Sequence, residues 1–103
     1  MTLPALAVGA TGVISVASNL IPKQIGDMVR AFLDGRAKEA GEMHRKYYPL
    51  FRDLFIETNP IPIKTAVSMA GRIAPDFRLP LCEMSPANAA KLLATLRNLN
   101  LVK

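Results

Sequence analysis

Apolar residues recur at helical spacing through most of this chain of 103 residues, and the period changes only near its start. Ile25, Met28, Val29, Phe32 and Leu33 form one stripe of three- and four-residue steps, which predicts a helix over Lys23–Asp34. Gly35 supplies its stop, because a residue without Cβ takes the left-handed closing conformation at least cost. From Arg36 to Glu57 a longer helix is predicted by Ala37, Ala40, Met43 or His44, Tyr47, Leu50 or Phe51, Leu54 and Phe55. Pro49 lies inside it and removes one i→i−4 bond, so a kink is expected near Arg45. Asn59 reads as the N-cap of a further helix with Ile63, Ala66, Val67 and Ala70 inward and Gly71 at its end. After an irregular stretch, Arg72–Met84, Ser85 as N-cap and Pro86 at the first position open a last helix with Ala89, Leu92, Leu93 and Leu96 on one face.

The start of the chain breaks this period. Thr2 opens a short helix with Leu3, Leu6 and Ala7 on one face, and Gly9 and Gly12 bracket a turn. Gly12–Ala17 is then a β-branched run too short for a stable helix, which predicts a strand buried on both faces, as parallel strands are. Ser18, Asn19 and Pro22 end it. The expected fold is mostly α: a short helix and strand over residues 1–20, then a region of about four helices over residues 21–103.

Composition narrows the function. A chain of this length is at most one domain and buries roughly two-thirds of its extended surface. Half of it is apolar and it holds no Trp, so the core is built from Leu, Ile, Val, Ala and Met. The net charge of +5 is spread from Arg30 to Arg97 and forms no block, which speaks against a nucleic-acid or membrane-surface partner. The first 22 residues carry no charge, yet they lack the basic start of a signal peptide and are broken by Pro4, Gly9, Gly12 and Asn19, unlike a spanning helix. One cysteine, Cys82, excludes an intramolecular disulfide, suits a cytoplasmic protein, and with Leu81 and Glu83 beside it reads as structural. His44 is also single, and no set of metal ligands accompanies it.

The most distinctive stretch is Asn59-Pro60-Ile61-Pro62-Ile63-Lys64. Its two prolines fix φ and remove two backbone donors, which a helix tolerates in its first turn. The motif thus starts a helix rigidly and carries no nucleophile or acid pair. It resembles the Asn-Pro-Ile-Pro-Val-Lys segment of the dihydrodipicolinate synthase and N-acetylneuraminate lyase family of pyruvate-dependent aldolases. Gly12-Val13-Ile14-Ser15-Val16-Ala17-Ser18-Asn19 resembles the last strand of that family's barrel and the turn after it. Arg78-Leu79-Pro80-Leu81 resembles the segment before its final helix. The three matches keep their order and correspond to the C-terminal third of a family member.

The resemblance implies the end of a (β/α)8 TIM barrel followed by a helical C-terminal region. It also implies a Schiff-base lyase that condenses pyruvate with aspartate semialdehyde in lysine biosynthesis, whose lysine and tyrosine relay lie upstream of Met1. No cofactor or metal is implied. By position, Ile14 is the residue whose backbone carbonyl serves the pyruvate site. None of Lys23, Lys38, Lys46, Lys64, Lys91 and Lys103 follows a β-branched run, the setting of a buried amine suited to imine chemistry, so no catalytic residue is expected within the chain. Tyr47 and Tyr48 are expected in packing. Asp27 and Glu57 show no pairing, and Lys64 reads as solvated. A chain with this content is the non-catalytic part of such an enzyme, or a helical module derived from it that self-associates or docks to an N-terminal barrel part.

Overall fold

Prolines open three of the five helices, and glycine or asparagine in left-handed geometry closes four. The computed structural model describes all residues, 1–103. Its helices are α1 (Thr2–Ala7), α2 (Pro22–Leu33), α3 (Ala37–Asp53), α4 (Ile61–Met69) and α5 (Pro86–Asn98), with a 3₁₀ turn at Ala17–Asn19. Proline occupies one of the first two positions of α2, α4 and α5, where its missing N–H costs nothing.

The closures share one hydrogen-bond pattern. After α2, Arg36 N–H donates to Ala31 O at 2.8 Å and Gly35 N–H to Phe32 O at 3.0 Å, with Gly35 at φ 82°. After α4, Arg72 and Gly71 repeat it on Val67 and Ser68, with Gly71 at φ 73°. These are Schellman closures. Gly9 plays the same part after α1, and Asn100 at φ 55° does so after α5, an asparagine tolerating the left-handed region through its short polar side chain.

The chain divides into two compact units, Met1–Tyr48 and Pro49–Lys103. In the first, α1 and the 3₁₀ turn pack on α2. Leu6, Ala17, Leu20, Ile21, Ile25, Met28 and Ala31 are buried there. In the second, α4 packs on α5. Leu50, Leu54, Ile61, Pro62, Ile63, Ala66, Met84, Leu92 and Leu96 are its buried apolar residues. No helix of the chain is long and apolar enough to cross a membrane.

Four expectations require correction. No strand forms over Gly12–Ala17: residues 11–15 have no regular structure, and Ala17 already belongs to the 3₁₀ turn. A strand is stabilised by its ladder, and this chain supplies no second strand to pair with it. The long helix ends at Asp53 rather than Glu57, because the chain turns through bonds from Phe55 to Arg52 and from Ile56 to Asp53 before reaching Pro60 and Pro62. Asn59 is not a cap. The first bond of α4 runs from Lys64 N–H to Pro60 O at 3.0 Å, so Pro60 holds the capping position and Asn59 lies one residue outside it. Finally, Leu33 is exposed while Ala31 is fully buried, the inward face of α2 running through Ile21, Ile25, Met28 and Ala31.

Candidate functional site

Two motifs singled out in the sequence meet in the second unit. Pro60 and Lys64 from the start of α4, together with Arg78 and Leu81, line one groove, whose other walls are Ile73, Ala74 and Asp76. Lys64 is not simply solvated. Its Nζ donates to Asp76 O at 2.6 Å and stands 5.0 Å from the centre of the Phe77 ring. The lysine of the proline motif thus ties the irregular segment 72–84 to α4. A turn bond from Leu81 N–H to Arg78 O at 2.9 Å shapes the Arg-Leu-Pro-Leu stretch, leaving Leu79 exposed.

A second tether holds the other end of that segment. Glu57 Oε1 accepts from Ser85 N–H at 3.0 Å, Ser85 Oγ at 2.8 Å and Asn88 Nδ2 at 2.8 Å. Ser85 is the N-cap residue of α5, as its sequence position implied, but its hydroxyl donates to Glu57 instead of accepting from its own helix. A carboxylate from beyond α3 therefore caps α5, where the helix dipole also favours negative charge. The bonds from Asn88 and Ser85 hold the Glu57 carboxyl below its ordinary range, against a smaller opposing effect of burial.

These tethers set the order of two variants. Lys64→Ala should lower stability by about 0.5–1.5 kcal/mol, the net worth of a hydrogen bond. Asn59→Ala, at an exposed site outside the helix, should stay within about 0.5 kcal/mol. Denaturant midpoints of the two variants check the order, and faster tryptic cleavage at Arg72 and Arg78 in Lys64→Ala would locate the loss in segment 72–84.

The fully buried acid of the chain is Asp53, at the end of α3. Its Oδ2 accepts from Thr95 Oγ1 of α5 at 2.7 Å, and its Oδ1 from Arg52 Nε at 2.7 Å. Burial raises its carboxyl pKa, but the bonds from Arg52 and Thr95 and the charges of Arg52 and Lys91 outweigh that, and the net shift is downward. The group is a structural clasp between α3 and α5, with no second acid at hand.

The remaining candidates do not converge on chemistry. Lys23 pairs with Asp27 at 2.6 Å, and Asp27 also takes Arg30 at 2.7 Å, so Asp27 has partners on its own helix after all. Such exposed pairs contribute little. Lys46 lies over the ring of Tyr47, and no lysine of the chain is buried. Tyr47 is buried and Tyr48 is 53% exposed, the divergence expected of neighbours on a helix. His44 stacks obliquely on Tyr48, ring centres 5.9 Å apart; burial, then the N-terminal amine and Arg45, lower its pKa. Cys82 is exposed. No three His, Cys, Asp or Glu side chains stand close enough to hold a metal ion. Ile14 lies in the first unit, fully exposed, and its carbonyl accepts no hydrogen bond from the chain.

Comparison with known proteins finds this helical framework to be similar to part of one class of enzyme. The 4-hydroxy-tetrahydrodipicolinate synthase of Aquifex aeolicus is 52% identical over 101 residues, which are 98% of this chain and 34% of that protein. The crystal structure of the dihydrodipicolinate synthase from that organism superimposes with a TM-score of 0.94 over 97% of this chain and 34% of its own. That of Thermotoga maritima gives 0.95 at 40% identity over 98% and 34%. The chloride-inhibited enzyme of Acinetobacter baumannii, complexed with pyruvate, gives 0.92 at 29% identity over 97% and 34%. The chain belongs to the dihydrodipicolinate synthetase family, whose model matches residues 1–99. It spans about a third of the length of these relatives.

Proposed function

We propose that this chain is the C-terminal part of a 4-hydroxy-tetrahydrodipicolinate synthase, and that it supports a Schiff-base condensation of pyruvate with aspartate semialdehyde, in the cytoplasm, without performing it. The observation that carries the reading is the combination of family membership over residues 1–99 with the absence of any buried lysine. Imine chemistry with a carbonyl substrate needs an amine whose charge is disfavoured by burial or by a neighbouring cation. Here Lys23 and Lys64 are engaged with oxygen acceptors, and Lys38, Lys46, Lys91 and Lys103 are exposed.

In this reading residues 1–20 descend from the barrel and residues 21–103 are the helical region beside it. The Ile14 carbonyl, free of internal pairing, offers an acceptor to a donor on the pyruvate adduct. The helices contribute the rigid frame described above. A second reading, a helical module acting by self-association, draws on the exposure of Val13, Ile14, Phe55 and Leu79.

Incubation with pyruvate and borohydride tests the first statement. The mass of the isolated chain should be unchanged. A covalent adduct of pyruvate mass on any of the six lysines overturns the supporting role.

A further inference from the structure

We infer that Ser18 is a positioning residue, holding in place the peptide plane that presents the Ile14 carbonyl to a pyruvate adduct; this rests on the function proposed above. Ile14 does not hold that plane itself. Its side chain is fully exposed and its carbonyl accepts nothing from the chain. The next residue, Ser15, is held twice over by Ser18. Ser18 Oγ donates to Ser15 O at 2.5 Å, and Ser18 N–H donates to Ser15 Oγ at 3.3 Å.

These local bonds grip Ser15 by its carbonyl and by its side chain, which together fix its Cα. The Ile14 C=O and the Ser15 N–H belong to one planar unit whose far end is that Cα. Only ψ of Ile14 and φ of Ser15 can turn the carbonyl, and the second of these axes is anchored. Ser18 is anchored in turn. Asn19 N–H and Nδ2 donate to Val16 O at 3.2 and 3.0 Å, and Leu20 and Ile21 N–H donate to Ala17 O at 3.0 and 2.9 Å. Ala17, Leu20 and Ile21 are buried in the core of the first unit.

The two bonds of Ser18 have different tasks. The one to Ser15 Oγ comes from the backbone of Ser18, serves the opening of the 3₁₀ turn, and survives loss of the side chain. The one to Ser15 O comes from the hydroxyl and meets no donor of that turn. Its distinguishing consequence is a fixed Ser15 beside the acceptor. A protonated imine formed from pyruvate carries a single N–H, and an acceptor that swings away leaves it unmet.

Two measurements test this. In the free chain, the order parameter of the Ser15 N–H reports on the same plane that carries the Ile14 carbonyl. It should be about 0.85 in wild type and fall below about 0.6 in Ser18→Ala, with the denaturant midpoint unmoved. Equal values in the two, or a wild-type value already below about 0.6, overturn the inference. The second measurement uses a full-length chimera in which the chain replaces the corresponding C-terminal third of the Aquifex aeolicus enzyme. Ser18→Ala should raise the pyruvate concentration for half-maximal borohydride trapping about tenfold at unchanged final extent. Ser18→Thr, which keeps the hydroxyl, should restore most of it. A merely structural serine would lower the extent through the folded fraction and leave the half-saturating concentration where it was, and that result overturns the inference. So does a Ser18→Ala chimera that matches its parent. A parent chimera that does not fold, or that takes up no pyruvate, sinks the function proposed above and the positioning role with it.

Discussion

Asp53→Ala should lower the unfolding free energy by about 2–4 kcal/mol, the scale of losing hydrogen bonds to a buried charge and stranding a partner. The carboxylate is fully buried, and Thr95, the partner that would be stranded, is itself buried on α5. Arg52 reaches solvent and loses less. Asp53→Asn keeps an acceptor for Thr95 and should cost less than Asp53→Ala. A double-mutant cycle with Thr95→Val isolates the bond between the two, and additive losses would show that the pair is not coupled. The pH dependence has a fixed sign. The folded pKa lies below the unfolded value, about 3.9, so the contribution is complete above that value and is lost as pH falls through the folded one. Wild type should therefore lose stability in acid more steeply than Asp53→Asn, as midpoints taken from neutral pH down to about pH 3 will show.

Leu54→Ala should cost roughly 2–5 kcal/mol, transfer of the lost methyls plus the cavity they leave. Leu54 has no exposed surface and follows directly on the last turn of α3, its N–H donating to Leu50 O at 3.0 Å. The whole chain is expected to be stable by only about 5–15 kcal/mol, so this one variant removes a large share. Phe55→Ala is the control, since Phe55 is 62% exposed and should be nearly silent in the free chain. Urea midpoints for the two settle the matter. A larger loss at Phe55 would mean that the ring packs against something in solution that the static fold leaves uncovered.

The helices were legible because their signals are local. The stripe of α2, the prolines at Pro22, Pro62 and Pro86, and the stops at Gly35 and Gly71 each act within a turn or two. The stop at Asn100 was overlooked, asparagine being a weaker sign of left-handed geometry than glycine. The family was legible from three short stretches, two of which the fold brings around one groove. Long-range polar contacts were not. Glu57 reaches α5 across 28 residues, and Asp53 reaches Thr95 across 42. A signal for the latter did exist: Asp53 interrupts the apolar face of α3 beside Leu50 and Leu54, and Thr95 interrupts the Leu92–Leu96 stripe. Two polar breaks in two buried faces are candidates to satisfy each other. The strand over Gly12–Ala17 failed for a different reason, since sequence records the preference for a strand but not whether neighbours are at hand.

The way Glu57 holds α5 also bears on which residues the position accepts. All three donors converge on Oε1, and Oε2 takes none of them. A single amide oxygen meets the same geometric demand, so glutamine is interchangeable with glutamate there except for the attraction between a full charge and the helix dipole. The two differ in acid. Glutamate's folded pKa is lowered, so its contribution is present above the unfolded value and fades as pH falls through the folded one. Glutamine does not titrate, so a chain carrying it would lack the charge contribution at neutral pH and would show no loss of it in acid, where a glutamate protonated on Oε2 still accepts through Oε1.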